Sequence, residues 1–258
     1  MKLPINKAPG PSKISNEILQ NLGLQMKKVF WIFACNCITT TFLPDAWNLA
    51  FVYPVPKPKP WEYDLNNTRP ITLLECSRKA VVKLINNRLL SILSKNEILK
   101  GYNFAGLPHW STKDPIYILD HIKKDAQYHR NQLWILFQDM SKAYDRVNLG
   151  MIYAALQRLN LPTNFIDLIS SLFAFRFNQV LTAHGNSPIY PVLSGIDQGE
   201  IISPILWCIY FDPLLCRVQN TNLGYNLSTT SPFWQNFSFQ TTDLSAHVPA
   251  LAYMDDTL

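Results

Sequence analysis

Two short apolar runs in this chain stop at carboxylates, and that pairing constrains the chain more than any other feature. Leu133-Trp134-Ile135-Leu136-Phe137 runs into Asp139, and residues 250–254 run into Asp255-Asp256. A continuous apolar run of this length predicts a strand buried on both faces. Taken singly, Asp139 could cap a turn and an Asp-Asp pair could be a solvated hairpin loop. Taken together they mean more. If the two strands lie side by side, the acids converge and repel unless cations sit between them. Hard oxygen ligands of this kind suit Mg²⁺, which keeps several waters and completes its shell from phosphate. Phosphoryl transfer with two metal ions needs that arrangement.

The rest of the chain supplies further elements. Pro54-Val55-Pro56-Lys57-Pro58-Lys59-Pro60 forbids helix and forces an extended path. It continues a strand expected over 49–53 and holds Lys57 and Lys59 on a stiff backbone, suited to reaching phosphates. Arg69-Pro70-Ile71-Thr72-Leu73-Leu74 predicts a short strand or turn. Apolar spacing and start signals predict helices over 29–37, 77–93, 115–128, 149–159, 164–175 and 203–218. Ser15 is a candidate N-cap for an earlier helix, and Asp145 or Asn148 for the one from 149. Residues 179–183 and 190–193 fit a hairpin around His184-Gly185-Asn186. Residues 220–249, rich in Ser, Thr, Asn and aromatics, read as loop and short strand, and 251–253 as strand.

Composition excludes several classes. With 258 residues, 48% of them hydrophobic, the chain can bury a sizeable core, so general disorder is excluded. Charged residues make up 16%, against about 25% for an average soluble domain. So thin a charged surface suggests that part of it is covered by a partner. The net charge of +5 suits a polyanion. Cys35, Cys37, Cys76, Cys208 and Cys216 match no zinc-module spacing and read as buried free thiols in a reducing compartment. No secretory signal is visible, and the longest apolar runs fall far short of the roughly 20 residues of a membrane span. A soluble intracellular chain without a membrane partner is the expectation.

Several blocks carry a family resemblance. Phe137-Gln138-Asp139-Met140-Ser141-Lys142-Ala143-Tyr144-Asp145 resembles motif A of reverse transcriptases. The stretch from Gly195-Ile196-Asp197-Gln198-Gly199-Glu200 to Ser203-Pro204 resembles motif B, and Tyr253-Met254-Asp255-Asp256 motif C. Residues 7–11 and 69–74 resemble the KAPGP and RPISL signatures of LINE-like, non-LTR retroelement polymerases. The blocks stand in the family's order and span nearly the whole chain.

The resemblance implies an α+β right-hand polymerase. Fingers would occupy 1–132, and a palm 133–258, its antiparallel sheet packed on helices. Asp139 and Asp255 match the family's metal-binding carboxylates and Asp256 the neighbouring acid, which implies two Mg²⁺, with Mn²⁺ as a substitute. Tyr144 matches the aromatic that closes the sugar 2′ side. Gln198 and Gly199 match the pair touching nucleotide and template. Arg69 with Lys57 or Lys59 falls where the fingers grip the triphosphate, and which lysine does so stays open. The implied activity is RNA-directed DNA synthesis, with an RNA template, a DNA primer and dNTPs as partners and a nuclear setting. An RNA-directed RNA polymerase would be expected to carry an acid where Tyr144 stands. The rival from another class is an inactive or domesticated retroelement fragment that at most binds nucleic acid or protein.

There are departures from the family pattern. Pro11-Ser12-Lys13-Ile14 stands where PDGI is common, and Asp197 where proline is usual. Residues 105–112 keep only Ser111-Thr112 of a basic block. The chain stops after motif C, so a thumb, and an endonuclease before residue 1, are expected to be missing. Little primer extension is then expected of the 258 residues alone.

Overall fold

Prolines stand in a strand only where no neighbour needs their missing N–H, and this rule fits the first strand of the fold. The computed structural model describes residues 3–257 except 61, 63, 109, 222, 236 and 237, with the backbone alone for 228–244. Strand β1 (Leu49–Pro56) pairs antiparallel with β2 (Thr68–Leu73) and parallel with β3 (Arg176–Thr182). Pairing with β3 covers Leu49, Ala50, Phe51 and Val52 and then stops. Pro54 and Pro56 follow, where β2 alone runs beside β1. The alternating prolines thus sit on the part of β1 that has one free edge. Strands β4 (Gly185–Asn186) and β5 (Tyr190–Val192) both pair antiparallel with β3, giving the order β2-β1-β3-β4.

The chain divides into two compact units. One holds the residues up to Ile92 together with Lys142–Leu206, and the other Leu93–Ser141 together with the chain from Trp207. In the first, the five strands accompany α1 (Asn16–Gln20), α2 (Leu24–Thr40) and most of α3 (Cys76–Lys95). Ser15 stands at the N-cap of α1 without a side-chain cap bond. Ala34 and Cys37 of α2 and Val81 of α3 bury against Trp47, with Phe33 edge-on to the Trp47 ring at 5.7 Å. The Trp47 indole donates to Ser77 Oγ at 3.0 Å, meeting the polar need of a buried ring.

In that unit α5 (Leu149–Arg158) starts where Asn148 Oδ1 accepts the Met151 N–H at 3.1 Å, so Asn148 is the cap. Its stripe of Ile152, Ala155 and Leu156 meets α6 (Thr163–Phe173), which buries Ile166, Leu168, Ile169, Leu172 and Phe173. The three- and four-residue spacing of these positions makes one apolar face on each helix.

The second unit contains α4 (Lys113–Tyr128), most of α7 (Ser203–Gln219) and two small antiparallel pairs. Strand β6 (Tyr225–Gln235) pairs with β7 (Ser238–Val248), and β8 (Ala252–Tyr253) with β9 (Asp256–Thr257). Trp207 and Phe211 stack at 5.4 Å inside α7, with Cys208, Ile209, Leu215, Phe104 and Leu251 buried in the same unit.

Two expectations are corrected. Residues 133–137 form no strand, and Trp134, Leu136 and Phe137 are 90%, 76% and 70% exposed. A strand needs a ladder partner, and among the described residues one bridge, Gln138 with Thr257, is all this segment makes. Residues 225–235 and 238–248, read as loop and short strand, form instead two antiparallel 11-residue strands. Thr and aromatic residues favour a pleated backbone even where apolar alternation is weak.

If α5 and α6 are packed as described, Leu156→Ala should cost about 2–5 kcal/mol of unfolding free energy. Leu193→Ala, at an 88% exposed position, should stay within about 0.5 kcal/mol of the parent. Urea denaturation of both variants checks this, and equal effects would mean the Leu156 contact is wrong.

Candidate functional site

In the first unit, motif B and the end of motif A are tied backbone to backbone. Tyr144 lies in a 3-10 turn (Tyr144–Arg146), and its carbonyl accepts the Ile196 N–H at 2.9 Å. The Val147 carbonyl accepts Gly195 N–H at 3.0 Å. Gly195 has φ +82°, and a Cβ there would lie 2.7 Å from the Tyr144 carbonyl oxygen, so glycine is what permits the approach. Motif B also reaches β2, because Thr72 N–H donates to the Gln198 carbonyl at 3.1 Å. At Gly199, with φ +136°, a Cβ would stand 2.6 Å from the Thr72 carbonyl oxygen. Tyr144, Gln198 and Gly199 are thereby brought together with β2. A cavity of ≈ 230 Å³ opens here, lined among others by Thr72, Asp145, Arg176, Asn178, Tyr190 and Gln198.

The three candidate cations are placed less uniformly. Arg69 is exposed on β2 opposite Val55. Strand alternation turns it to the other face from Pro70 and Thr72, which line the cavity. Lys57 Nζ donates to the Asn66 carbonyl at 2.9 Å, which holds it to the short 3-10 turn before β2. Lys59 is exposed.

In the second unit the carboxylates gather at the β8–β9 turn. Gln138 exchanges both backbone bonds with Thr257, at 2.8 and 2.9 Å, which brings Asp139 alongside the strand that carries Asp256. Tyr253 pairs with Asp256, so Met254 and Asp255 form the turn, with Met254 at φ 56°. Side chains fix this left-handed residue. Asn103 Oδ1 accepts Met254 N–H at 3.3 Å, its Nδ2 donates to the Met254 carbonyl at 3.3 Å, and the Trp207 indole donates to the same carbonyl at 2.8 Å. Burial pushes the Asp255 carboxyl above the usual carboxylate range, and the neighbouring Asp256 and Asp139 add to the rise.

That last observation tests the fit to a divalent cation. A carboxyl whose proton affinity is raised by burial and by two acidic neighbours is relieved by a hard cation. Among the described residues no group of three His, Cys, Asp or Glu side chains could hold a metal unaided. One or two carboxylates with phosphate oxygens and water making up the remainder is the usual shell of Mg²⁺. The donor set therefore fits.

Sequence reasoning missed Arg78, Arg176, Asn103 and Trp207. A signal for the arginines was present: Asp197 and Glu200 are two acids in an apolar stretch, and both are buried at 5% and 3% exposure. Buried acids of this kind call for cations. Asn103 and Trp207 left no such mark, since a side chain that bonds a distant backbone has no periodicity.

Comparison with known proteins agrees with the geometry. Residues 55–258 match the family described as reverse transcriptase (RNA-dependent DNA polymerase). The chain is 25% identical over 210 residues to the RNA-directed DNA polymerase from mobile element jockey of Drosophila melanogaster, covering 81% of this chain and 23% of that protein. It is 28% identical over 214 residues to a probable RNA-directed DNA polymerase from transposon X-element of the same species, covering 80% and 22%. It therefore spans less than a quarter of the length of these relatives. Apo telomerase from Candida tropicalis, truncated from the C-terminal domain, shares the fold with a TM-score of 0.52 at 13% identity, over 89% of this chain and 48% of that one. Among the described residues no helix is long and apolar enough to cross a membrane. With the family's blocks in order, its glycines at the tight approaches and its sequence pattern matched from residue 55 onward, this chain belongs to the reverse transcriptase family.

Proposed function

We propose that this chain carries the nucleotide-adding centre of an RNA-directed DNA polymerase that extends a DNA primer on an RNA template. The observation that carries the reading is the gathering of Asp139, Asp255 and Asp256, with the Asp255 carboxyl raised by burial and by both neighbours. Reverse transcriptases depend on divalent metal, and the family implies binding of template and primer. Fingers over 1–132 and palm over 133–258 remain the assignment of parts that this reading uses.

Asp139 and Asp255 would hold two Mg²⁺, or Mn²⁺ in their place, with Asp256 adding negative charge beside them. A divalent ion bound there supplies activation of the primer 3′-hydroxyl and a counter-charge for the departing pyrophosphate. The protein's own share is positioning and charge complementarity. Tyr144 fills the space beside the sugar 2′ carbon, Gln198 and Gly199 contact nucleotide and template, and Arg69 with Lys57 or Lys59 meets the triphosphate.

The direct test is extension of a DNA primer on RNA with Mg²⁺ and dNTPs. Whatever the absolute rate, Asp139→Asn and Asp255→Asn should each lower it by more than about 100-fold, since removing even an outer partner of a ligand costs 10–100-fold. Primer–template binding should stay within about threefold, because it rests on lysines and arginines meeting phosphates. Extension retained by a destabilised variant would make these acids structural.

The raised Asp255 carboxyl also sets a pH dependence. The folded protein binds this proton more tightly than the unfolded chain, so protonation favours the fold. Its stabilising effect fades as pH rises from the ordinary aspartate value through the raised one. At neutral pH without divalent ions the ionised group is therefore a cost, and Asp255→Asn should leave the Tm unchanged or slightly higher. The gain should narrow near pH 4, and a clear fall in Tm at pH 7 would contradict it.

Tyr144 should decide the sugar. Tyr144→Val opens the space beside the 2′ carbon and should raise relative ribonucleotide use by roughly 10–100-fold, following about tenfold per 1.4 kcal/mol. The check is kcat/KM for one dNTP and its matching rNTP. An unchanged ratio would reduce Tyr144 to a packing residue.

A further inference from the structure

We infer that Arg78 and Arg176 are positioning residues whose buried ion pairs with Glu200 and Asp197 lock the Gln198-Gly199 peptide against β2 before any nucleotide arrives. The inference deepens the proposed function and rests on it for the role of Gln198 and Gly199. All four charged side chains are buried, Arg78 at 1%, Arg176 at 3%, Asp197 at 5% and Glu200 at 3% exposure. Ions removed from water lose their hydration, and apolar residues in such places are often no less stable. Stability alone does not account for four of them at one loop.

The geometry does. Arg78 lies on α3 and joins three segments: its Nε donates to Glu200 Oε2 at 2.7 Å, its Nη1 to the Trp47 carbonyl at 2.9 Å and its Nη2 to the Leu172 carbonyl at 2.9 Å. Arg176 opens β3 and does the same on the other side of the loop. Its Nε donates to the Phe173 carbonyl at 2.9 Å and its Nη1 to Asp197 Oδ1 at 2.7 Å. Its Nη2 donates to the Gly195 carbonyl at 2.7 Å and the Ser194 carbonyl at 3.2 Å. The two networks meet where Asp197 Oδ2 stands 3.6 Å from Arg78 Nη2.

Asp197 and Glu200 flank Gln198 and Gly199 in sequence, so each end of the dipeptide is fixed to its own arginine. Between them the Gln198 carbonyl takes the Thr72 N–H, and Gly199 leaves no room for a Cβ. Ser203 Oγ closes the far side by donating to the Asp197 carbonyl at 2.9 Å. The guanidinium fork is what makes this work. Five donors in a rigid plane can serve a carboxylate and two or three carbonyls at once, which a lysine ammonium cannot. Arg176, Asp197 and Gln198 also line the ≈ 230 Å³ cavity, so the locked loop is one of its walls.

The test compares the parent 258-residue chain with Arg176→Lys, Asp197→Asn and the double variant Arg176→Gln/Asp197→Asn, in which no lone charge is left at that pair. Native-state amide hydrogen exchange is read at Thr72, at residues 195–200 and across α5 and α6, together with binding of dTTP in Mg²⁺. The lock predicts exchange at least ~10-fold faster at Thr72 and residues 195–200, with α5 and α6 still protected, and dTTP binding weakened by a similar factor. Arg176→Lys should behave like the other variants, because charge without the fork does not restore the loop. Unchanged loop exchange in the double variant would overturn the inference, as would a loss of protection spread evenly over α5, α6 and the loop. A parent chain that binds no dTTP, with loop exchange still responding to the variants, would sink the nucleotide reading and leave the lock standing.

Discussion

A carboxylate taken out of water needs a cation or several donors beside it, and in this chain that requirement joins otherwise separate segments of the first unit. Asp197 and Glu200 sit on one short loop, and their partners come from α3 and from the start of β3. Both arginines also donate to carbonyls at element ends. Arg78 donates to Trp47, which closes a 3-10 turn, and to Leu172, and Arg176 to Phe173, these two in the last turn of α6. Arg176 gives its last donors to Ser194 and Gly195 in the loop. Helix ends present carbonyls that lack intrahelical partners, so a guanidinium is well matched there. The arginines that neutralise the acids thus also satisfy carbonyls at the C-terminal end of α6 and fix the start of β3.

The chain's other acidic group shows the contrast. Asp139 and Asp256 are exposed and Asp255 half-buried, and the Asp255 carboxyl is raised, first by burial and then by its acidic neighbours. Among the described residues none of the three forms an ion pair of the kind that holds Asp197. Identical side chains therefore serve two ends. Where arginines surround them, the acids hold structure. Where acids face acids, the local charge is unbalanced, a condition that a divalent cation would relieve.

The sequence made the helices legible because apolar residues repeat at helical spacing in 149–159 and 164–175, and the structure follows them within two residues. The candidate acids were legible for a different reason: they interrupt apolar runs, and an interruption is visible without a fold. Leu133 to Phe137 misled because a run of apolar residues reports only a tendency to be covered, and covering depends on a partner strand that the run itself does not encode. Residues 225–248 misled in the opposite sense, since backbone pairing between two polar strands leaves little trace in hydropathy. Arg78 and Arg176 were hidden among ordinary basic residues. The acids at Asp197 and Glu200 signal a need for cations, but the arginines that meet it stand 21 and 122 residues away, and nothing local says which they are.

Both candidate loops are held by side chains bonded to backbone, and for the second of them strand length gives the reason. Strands β8 and β9 have two residues each, too few for a ladder to dictate the turn between them. Met254 nevertheless takes φ 56°, a left-handed conformation that costs a residue with a Cβ about 1–2 kcal/mol. Asn103 meets both its N–H and its carbonyl, and Trp207 takes the carbonyl a second time. Hydrogen bonds of this sort contribute about 1 kcal/mol each, so three of them match or exceed the strain. A regular hairpin with longer strands could have supplied the same stability, but it would have fixed the turn by the strand twist. Held by Asn103 and Trp207, the turn's direction is set by residues outside the hairpin, and the aim of Asp255 is set with it.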